Sequence, residues 1–265
     1  MKRRRFIRKL LAAAAVGLIA AGVVSYLAVK HVPGDYRPLA LAVAQRRQAR
    51  RCVEQAVVEV FGAASRVGSL DPHCDPADQP RQATVEFGGD TLNRWIASLP
   101  PEATTALYRA GLRDPAIAVG DGQITLYAHW ARYDAVVGVD LVPVFDDTQR
   151  MTIRIAGARL GRLPLPRQVI DEHRREVIDL LVEYIEQWRQ THPSGAAATD
   201  ADDLAGATER VVEALRGVPV RLDLPRQYGH ARIKGIRPKR GKLVIEIISL
   251  LPEPPAADQP SRPSW

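Results

Sequence analysis

Six histidines, at positions 31, 73, 129, 173, 192 and 230, and two cysteines, Cys52 and Cys74, are the side chains in this 265-residue chain best suited to metal or nucleophilic chemistry. Their arrangement offers little of either. The histidines are scattered, and no His-Glu-x-x-His, Cys-x-x-Cys, Gly-x-Ser-x-Gly, P-loop or dinucleotide-binding glycine pattern occurs. Asp171-Glu172-His173 has the composition of a ligand cluster, but consecutive residues of a helix point in different directions. Asp146-Asp147 falls between two alternating stretches, where turn chemistry accounts for it. The residues therefore imply no cofactor, no metal and no catalytic set, and the expectation is a protein that is not an enzyme.

Charge excludes a second class. The chain carries 37 Lys and Arg against 30 Asp and Glu, a net charge of +7. Six of those positives are Lys2, Arg3, Arg4, Arg5, Arg8 and Lys9. Without them 31 basic residues face 30 acidic ones, so the body is near neutral and no nucleic-acid partner is expected.

Behind the basic tail, Leu10 to Val29 holds no charged residue. Twenty residues at about 1.5 Å per residue span roughly 30 Å, the thickness of a bilayer core. The run predicts a single N-terminal transmembrane helix with residues 1–9 in the cytoplasm and the remainder outside it. A cleaved signal at Ala20-Ala21-Gly22 is the alternative, and Arg3-Arg4-Arg5-Phe6-Ile7 loosely fits a twin-arginine export pattern. An extracytoplasmic body is an oxidising setting, in which Cys52 and Cys74 are expected to form a disulfide; two unpaired buried thiols are the other possibility.

After the run, residues 30–82 read as a stalk helix, within Leu39 to Phe61, followed by a Pro-rich loop. Arg46, Arg47, Arg50 and Arg51 form a basic cluster on that helix, suited to anionic headgroups or simply to solvent. Residues 83–251 read as an α+β domain and 252–265 as a disordered Pro-rich tail. Within the domain, Ala83 to Phe87 is a short strand and Asp90 is placed to cap a helix over Thr91 to Leu99. Gly120-Asp121-Gly122 is a hairpin turn, and period-two alternation then runs through Gln123–Trp130, Ala135–Phe145 and Met151–Leu160. Pro166 to Trp188 repeats apolar residues at three-four spacing, a long amphipathic helix. Leu243 to Leu251 is apolar on both faces and should be a central strand.

The fold class that follows is α+β: an antiparallel curved sheet packed against a long helix, with an N-terminal transmembrane helix. A groove between sheet and helix would be lined by Trp95, Leu126, Trp130, Val139, Leu141, Ile153, Leu180, Ile185 and Trp188, and would bind a lipid or another apolar ligand. The same residues would serve equally as an ordinary core. The alternative function is an envelope scaffold that binds another protein through a sheet edge or through the basic hairpin at His230 to Lys242.

An N-terminal anchor, Thr91-Leu92-Asn93-Arg94-Trp95-Ile96, the Asp121-Gly122 hairpin and Gly161-x-Leu163-Pro164-x-Pro166 before a long helix occur in that order. In this the chain resembles the YpmS-like family of membrane-anchored bacterial proteins. It is also similar to tubular lipid-binding (TULIP-like) domains, in which a curved sheet wraps a long helix. The likeness covers about residues 83 to 190. It implies an apolar channel and carries no catalytic residues; the cysteine pair and the segment around residues 191–203 depart from it.

Overall fold

The alternating stretches fold into two antiparallel sheets, giving an α+β protein. The computed structural model describes residues 21–68, 81–98, 105–172, 175–176, 178–179, 182–183, 209–224 and 230–250. In chain order these form α1 (21–30), α2 (Val43–Gly68), β1 (Gln82–Gly88), α3 (Gly89–Ser98), α4 (Thr105–Arg109), β2 (Leu112–Val119), β3 (Ile124–Trp130), β4 (Ala135–Phe145), β5 (Met151–Leu160) and β6 (Leu163–Pro164). Then come α5, helical at 167–172 and again at 175–176, 178–179 and 182–183, α6 (209–215), β7 (Ala231–Lys239) and β8 (Lys242–Ser249).

The larger sheet has the order β2-β3-β4-β5-β6, a meander. Its turns follow from local chemistry. Gly122 takes a positive φ of 74° in the β2–β3 hairpin, as a tight turn there requires. Between β4 and β5, the Asp146 carboxylate accepts from the amides of Arg150 and Thr148, both at 2.9 Å, and from the Thr148 hydroxyl at 2.7 Å. Those bonds, the Arg150 amide first, hold the Asp146 carboxyl below its ordinary pKa. Asp146 thus builds its turn from its own side chain.

The smaller sheet has the order β1-β8-β7, and β8 is its central strand, as apolar residues on both faces demand. Helix α2 continues past Phe61 to Gly68 and is core rather than stalk. Ala63 and Ala64 on its inner face pack with Val85, Ala231 and Ile247, and side chains this small let the helix settle close to the strands. The expected boundary at residue 82 therefore runs through a packed unit.

The two sheets are stitched together. Met151 and Val220 exchange backbone hydrogen bonds of 2.7 and 3.0 Å, and Leu222 accepts from Ile233 at 3.0 Å. Met151, Ala214, Val220 and Leu222 fill the space between, beside Ile153, Ile233 and Ile236. At the β2–β3 hairpin, Gly122 donates to Pro238 and Gly241 donates to Val119. The single curved sheet expected from sequence is thus two sheets, joined beside the β2–β3 and β4–β5 turns.

Among the described residues no helix is long and apolar enough to cross a membrane; of the run Leu10–Val29, residues 10–20 lie outside them.

Asn93 couples α3 to the larger sheet. Its side-chain amide donates to Ile117 O at 2.7 Å and to Gly89 O at 3.2 Å, and its carbonyl accepts from Ile117 N at 2.7 Å. It therefore satisfies both backbone groups of a residue on the outer side of β2, where no further strand pairs. Replacing Asn93 with Ala strands both groups. The expected loss is about 1–3 kcal/mol, read as a lower urea midpoint at unchanged slope.

Candidate functional site

Strand register divides the larger sheet into two chemically distinct faces. On one, Ile124, Leu126, Ala128 and Trp130 of β3 stand opposite Leu141, Val139, Val137 and Ala135 of β4. Beyond them lie Val119 and Ile117 of β2, and Ile153, Ile155, Ala158 and Leu160 of β5. No polar residue interrupts this face along β3, β4 or the paired part of β5.

The residues expected to line a groove fall largely here. Leu126, Val139, Leu141, Ile153 and Trp130 share the face, and Trp95 on α3 packs over Leu126 with Ile96, Ile117 and Val119. Trp130 stands at the end of the face, its ring edge-on to Tyr133 at 4.5 Å. Leu180, Ile185 and Trp188 lie outside the described residues. Helices α5 and α6 cover part of the face, through Ile178, Val182 and Val212 beside Ile155. Leu141 is buried, whereas Leu126, Val139 and Ile153 remain only partly buried.

The opposite face carries a polar network that sequence reading did not single out. The Thr125 hydroxyl, on a residue 3% exposed, donates to Asp140 at 2.7 Å. Arg159 donates to both oxygens of Asp140 at 2.7 and 2.8 Å and lies over the Tyr127 ring, 5.9 Å from its centroid. Tyr127 in turn donates to Asp35 at 2.7 Å. Glycine makes this possible. Gly138 sits between Tyr127 and Arg159 in register, and a Cβ there would lie 2.7 Å from the Tyr127 ring and 3.0 Å from the Arg159 stem. The signal was visible as a glycine inside a strand, which marks close approach by a neighbour.

Through Asp35 the network reaches the segment that follows α1. Tyr36 packs on Tyr127, with ring centroids 5.9 Å apart, and donates to Asp114 O at 3.0 Å. The end of α1 is fixed to the same end of the sheet. Lys30 donates to the carbonyls of Tyr133 and Asp134 at 3.2 and 3.1 Å and to the Asp134 carboxylate at 2.7 Å. Hydrogen bonds from Lys30, and then from His129, hold the Asp134 carboxyl below its ordinary pKa. Arg162 N donates to Ala28 O at 2.8 Å, and a Cβ on Gly161 would overlap the carbonyl oxygens of Ala28 and Val29.

Between residues 33–35 and β5–β6 a cleft of about 550 Å³ opens, lined by Asp35, Asp140, Arg159, Arg162 and Arg167 among others. His129 is accounted for by its contact with Asp134 at 3.2 Å, and His173 lies outside the described residues. Among the described residues no group of three potential metal ligands gathers and Cys52 forms no disulfide; its expected partner, Cys74, lies outside them. The basic hairpin is substantially neutralised, since Arg232 pairs with Asp223, Arg237 with Glu246 at 2.9 Å and Lys242 with Glu86 at 2.8 Å. Comparison of the chain with family models, with curated proteins and with solved structures yields no match.

Burial, and then Asp114, pushes the Tyr36 hydroxyl up to about 12; burial, and then the bond to Asp35, raises Tyr127 further still. A phenol whose pKa is raised by folding stabilises the fold fully below its unfolded value, and that stabilisation is lost as pH rises through the folded value. The expected outcome is stability that declines from about pH 10 to 12, with Tyr36 and Tyr127 ionising late in an absorbance titration. Gly138→Ala should displace Tyr127 and cost about 1–3 kcal/mol, with the late tyrosine step shifted to lower pH.

Proposed function

We propose that the protein is a membrane-tethered, extracytoplasmic binding module whose apolar sheet face takes a lipid chain or another apolar ligand beside α5. The observation that carries this reading is the apolar face itself. It is four strands wide, yet Leu126, Val139 and Ile153 near its centre are not fully withdrawn from water by the helices lying on it. Apolar area left partly open on a sheet is where an alkyl chain gains most, at about 25 cal/mol per Å² covered.

Tethering is supported by α1. Val23, Val24, Tyr26 and Leu27 are 53–66% exposed on a helix that ends the uncharged run from Leu10 to Val29. A helix this apolar with its side chains uncovered calls for a bilayer around it. The basic tail of residues 2–9 supports an orientation with that end in the cytoplasm and the sheets outside. Binding rather than turnover is favoured because the polar groups that the fold gathers are engaged with one another: Thr125 and Arg159 with Asp140, and Tyr127 with Asp35. A YpmS-like or TULIP-like relationship accords with this arrangement, with α5 in the place of the long helix.

Native mass spectrometry of the full chain, released gently from membranes, tests the proposal. One equivalent of lipid should travel with the protein. Val139→Trp, which fills the face without adding charge, should lower its retention at least about five-fold while circular dichroism is unchanged. Absence of any retained lipid, or equal retention by the variant, would sink the idea.

A further inference from the structure

The cleft on the polar face has an unbalanced set of charges. Asp140 is taken by Arg159 and Thr125, and Asp35 by the Tyr127 hydroxyl. The side chains of Arg162 and Arg167 have no hydrogen-bond or ion-pair partner among the described residues. Three guanidinium groups and two carboxylates therefore line one concavity, a net charge of +1, with the Arg162 and Arg167 donors unused. Its wall along β5 is built from Ala156, Gly157 and Ala158, which leaves room for a ligand of several heavy atoms in a volume of about 550 Å³.

The position of the cleft selects the ligand. Gly161 abuts the carbonyls of Ala28 and Val29, and the Arg162 amide is bonded to Ala28 O. Ala28 and Val29 are the last residues of the uncharged run, so the mouth of the cleft stands at the level where that run leaves the bilayer core. We infer that this cleft binds the phosphate of an anionic lipid headgroup, with Arg162 and Arg167 as its donors. Paired guanidinium forks match phosphate oxygens in geometry as well as charge, and a headgroup at this depth arrives already concentrated beside them. The site lies at the β5–β6 edge of the sheet, where Asp140, Gly157 and Arg159 of the polar face line it. It depends on the membrane-tethered reading for its ligand, and not on the lipid chain proposed for the other face.

The test uses the full chain in nanodiscs of phosphatidylcholine containing a minor share of phosphatidylglycerol, with the lipids retained on gentle extraction identified by mass spectrometry. The wild type should enrich phosphatidylglycerol. Arg162→Ala combined with Arg167→Ala should reduce that enrichment at least about ten-fold, and the charge-matched pair Arg154→Ala with Arg240→Ala should leave it unchanged. Enrichment that survives the first pair, or is lost equally in the second, overturns the assignment. A titration of inorganic phosphate into chain held in phosphatidylcholine alone separates the two sources of phosphate. Saturable binding that needs Arg162 and Arg167 and excludes phosphatidylglycerol would make this a free-phosphate site and overturn the headgroup assignment. Carbonate extraction reads the anchor on its own: release from the bilayer overturns tethering, whereas retention without a phosphatidylglycerol preference overturns only the headgroup site.

Discussion

The hydrogen bond from Tyr127 to Asp35, seated over Gly138, is the constraint on which the arrangement of this protein turns. It joins a residue in the middle of the larger sheet to the short segment that follows α1. Lys30, the Gly161–Arg162 turn and the Tyr36 bond to Asp114 O also link this part of the chain to the sheet, but at its ends and edge. With the Tyr127 bond, the helix and the sheet share a network of five polar side chains that extends through Arg159 and Asp140 to Thr125. Burial opposes the charge on Arg159, but the hydrogen bonds and field of Asp140 outweigh it and hold the guanidinium above its ordinary pKa. Such a network is costly to leave half-made, because each member removed leaves a partner out of water and unpaired.

One consequence is a sheet with two jobs on two faces. The apolar face is built by strict alternation across β3 and β4 and meets α3, α5 and α6. The polar face meets the chain emerging from α1 and ends in the cleft that carries Arg162 and Arg167. The bulge in β5 at Ala156 shifts the register between these two regions, so that Ile155 and Ala158 remain on the apolar face while Gly157 and Arg159 turn to the other. The connections at 131–134 and 161–162 lie at the same end of the meander, toward α1. Those at 120–123 and 146–150 lie at the opposite end.

Period and turn chemistry made the strands legible. Gly120-Asp121-Gly122 and Asp146-Asp147 fall at turns, and the two-sided apolar character of Leu243 to Leu251 puts β8 in the centre of its sheet. Alternation also assigned Leu126, Val139, Leu141 and Ile153 to a common face. What periodicity does not convey is pairing between distant segments. Nothing local in Val220 to Leu224 says that it bridges two sheets, and nothing in Ala63-Ala64 says that α2 packs on the β1-β8-β7 sheet. The polar network was hidden for the same reason, since Asp35 and Tyr127 are 92 positions apart. Charge runs misled in one place: the hairpin at residues 230–242 is basic in sequence, yet Asp223, Glu246 and Glu86, the last of them 156 positions from its lysine, neutralise part of it.

The central claim is that the sheet is held with one end against the bilayer surface, because α1 is fixed to the turns at that end. Photo-crosslinking of the full chain in vesicles whose lipids carry a photoreactive group on the headgroup, followed by peptide mapping, tests it most directly. The account expects crosslinks at residues 131–134 and 161–167 and few elsewhere in the sheets. Crosslinks concentrated at 120–123 and 146–150, or spread evenly over both ends, would contradict it.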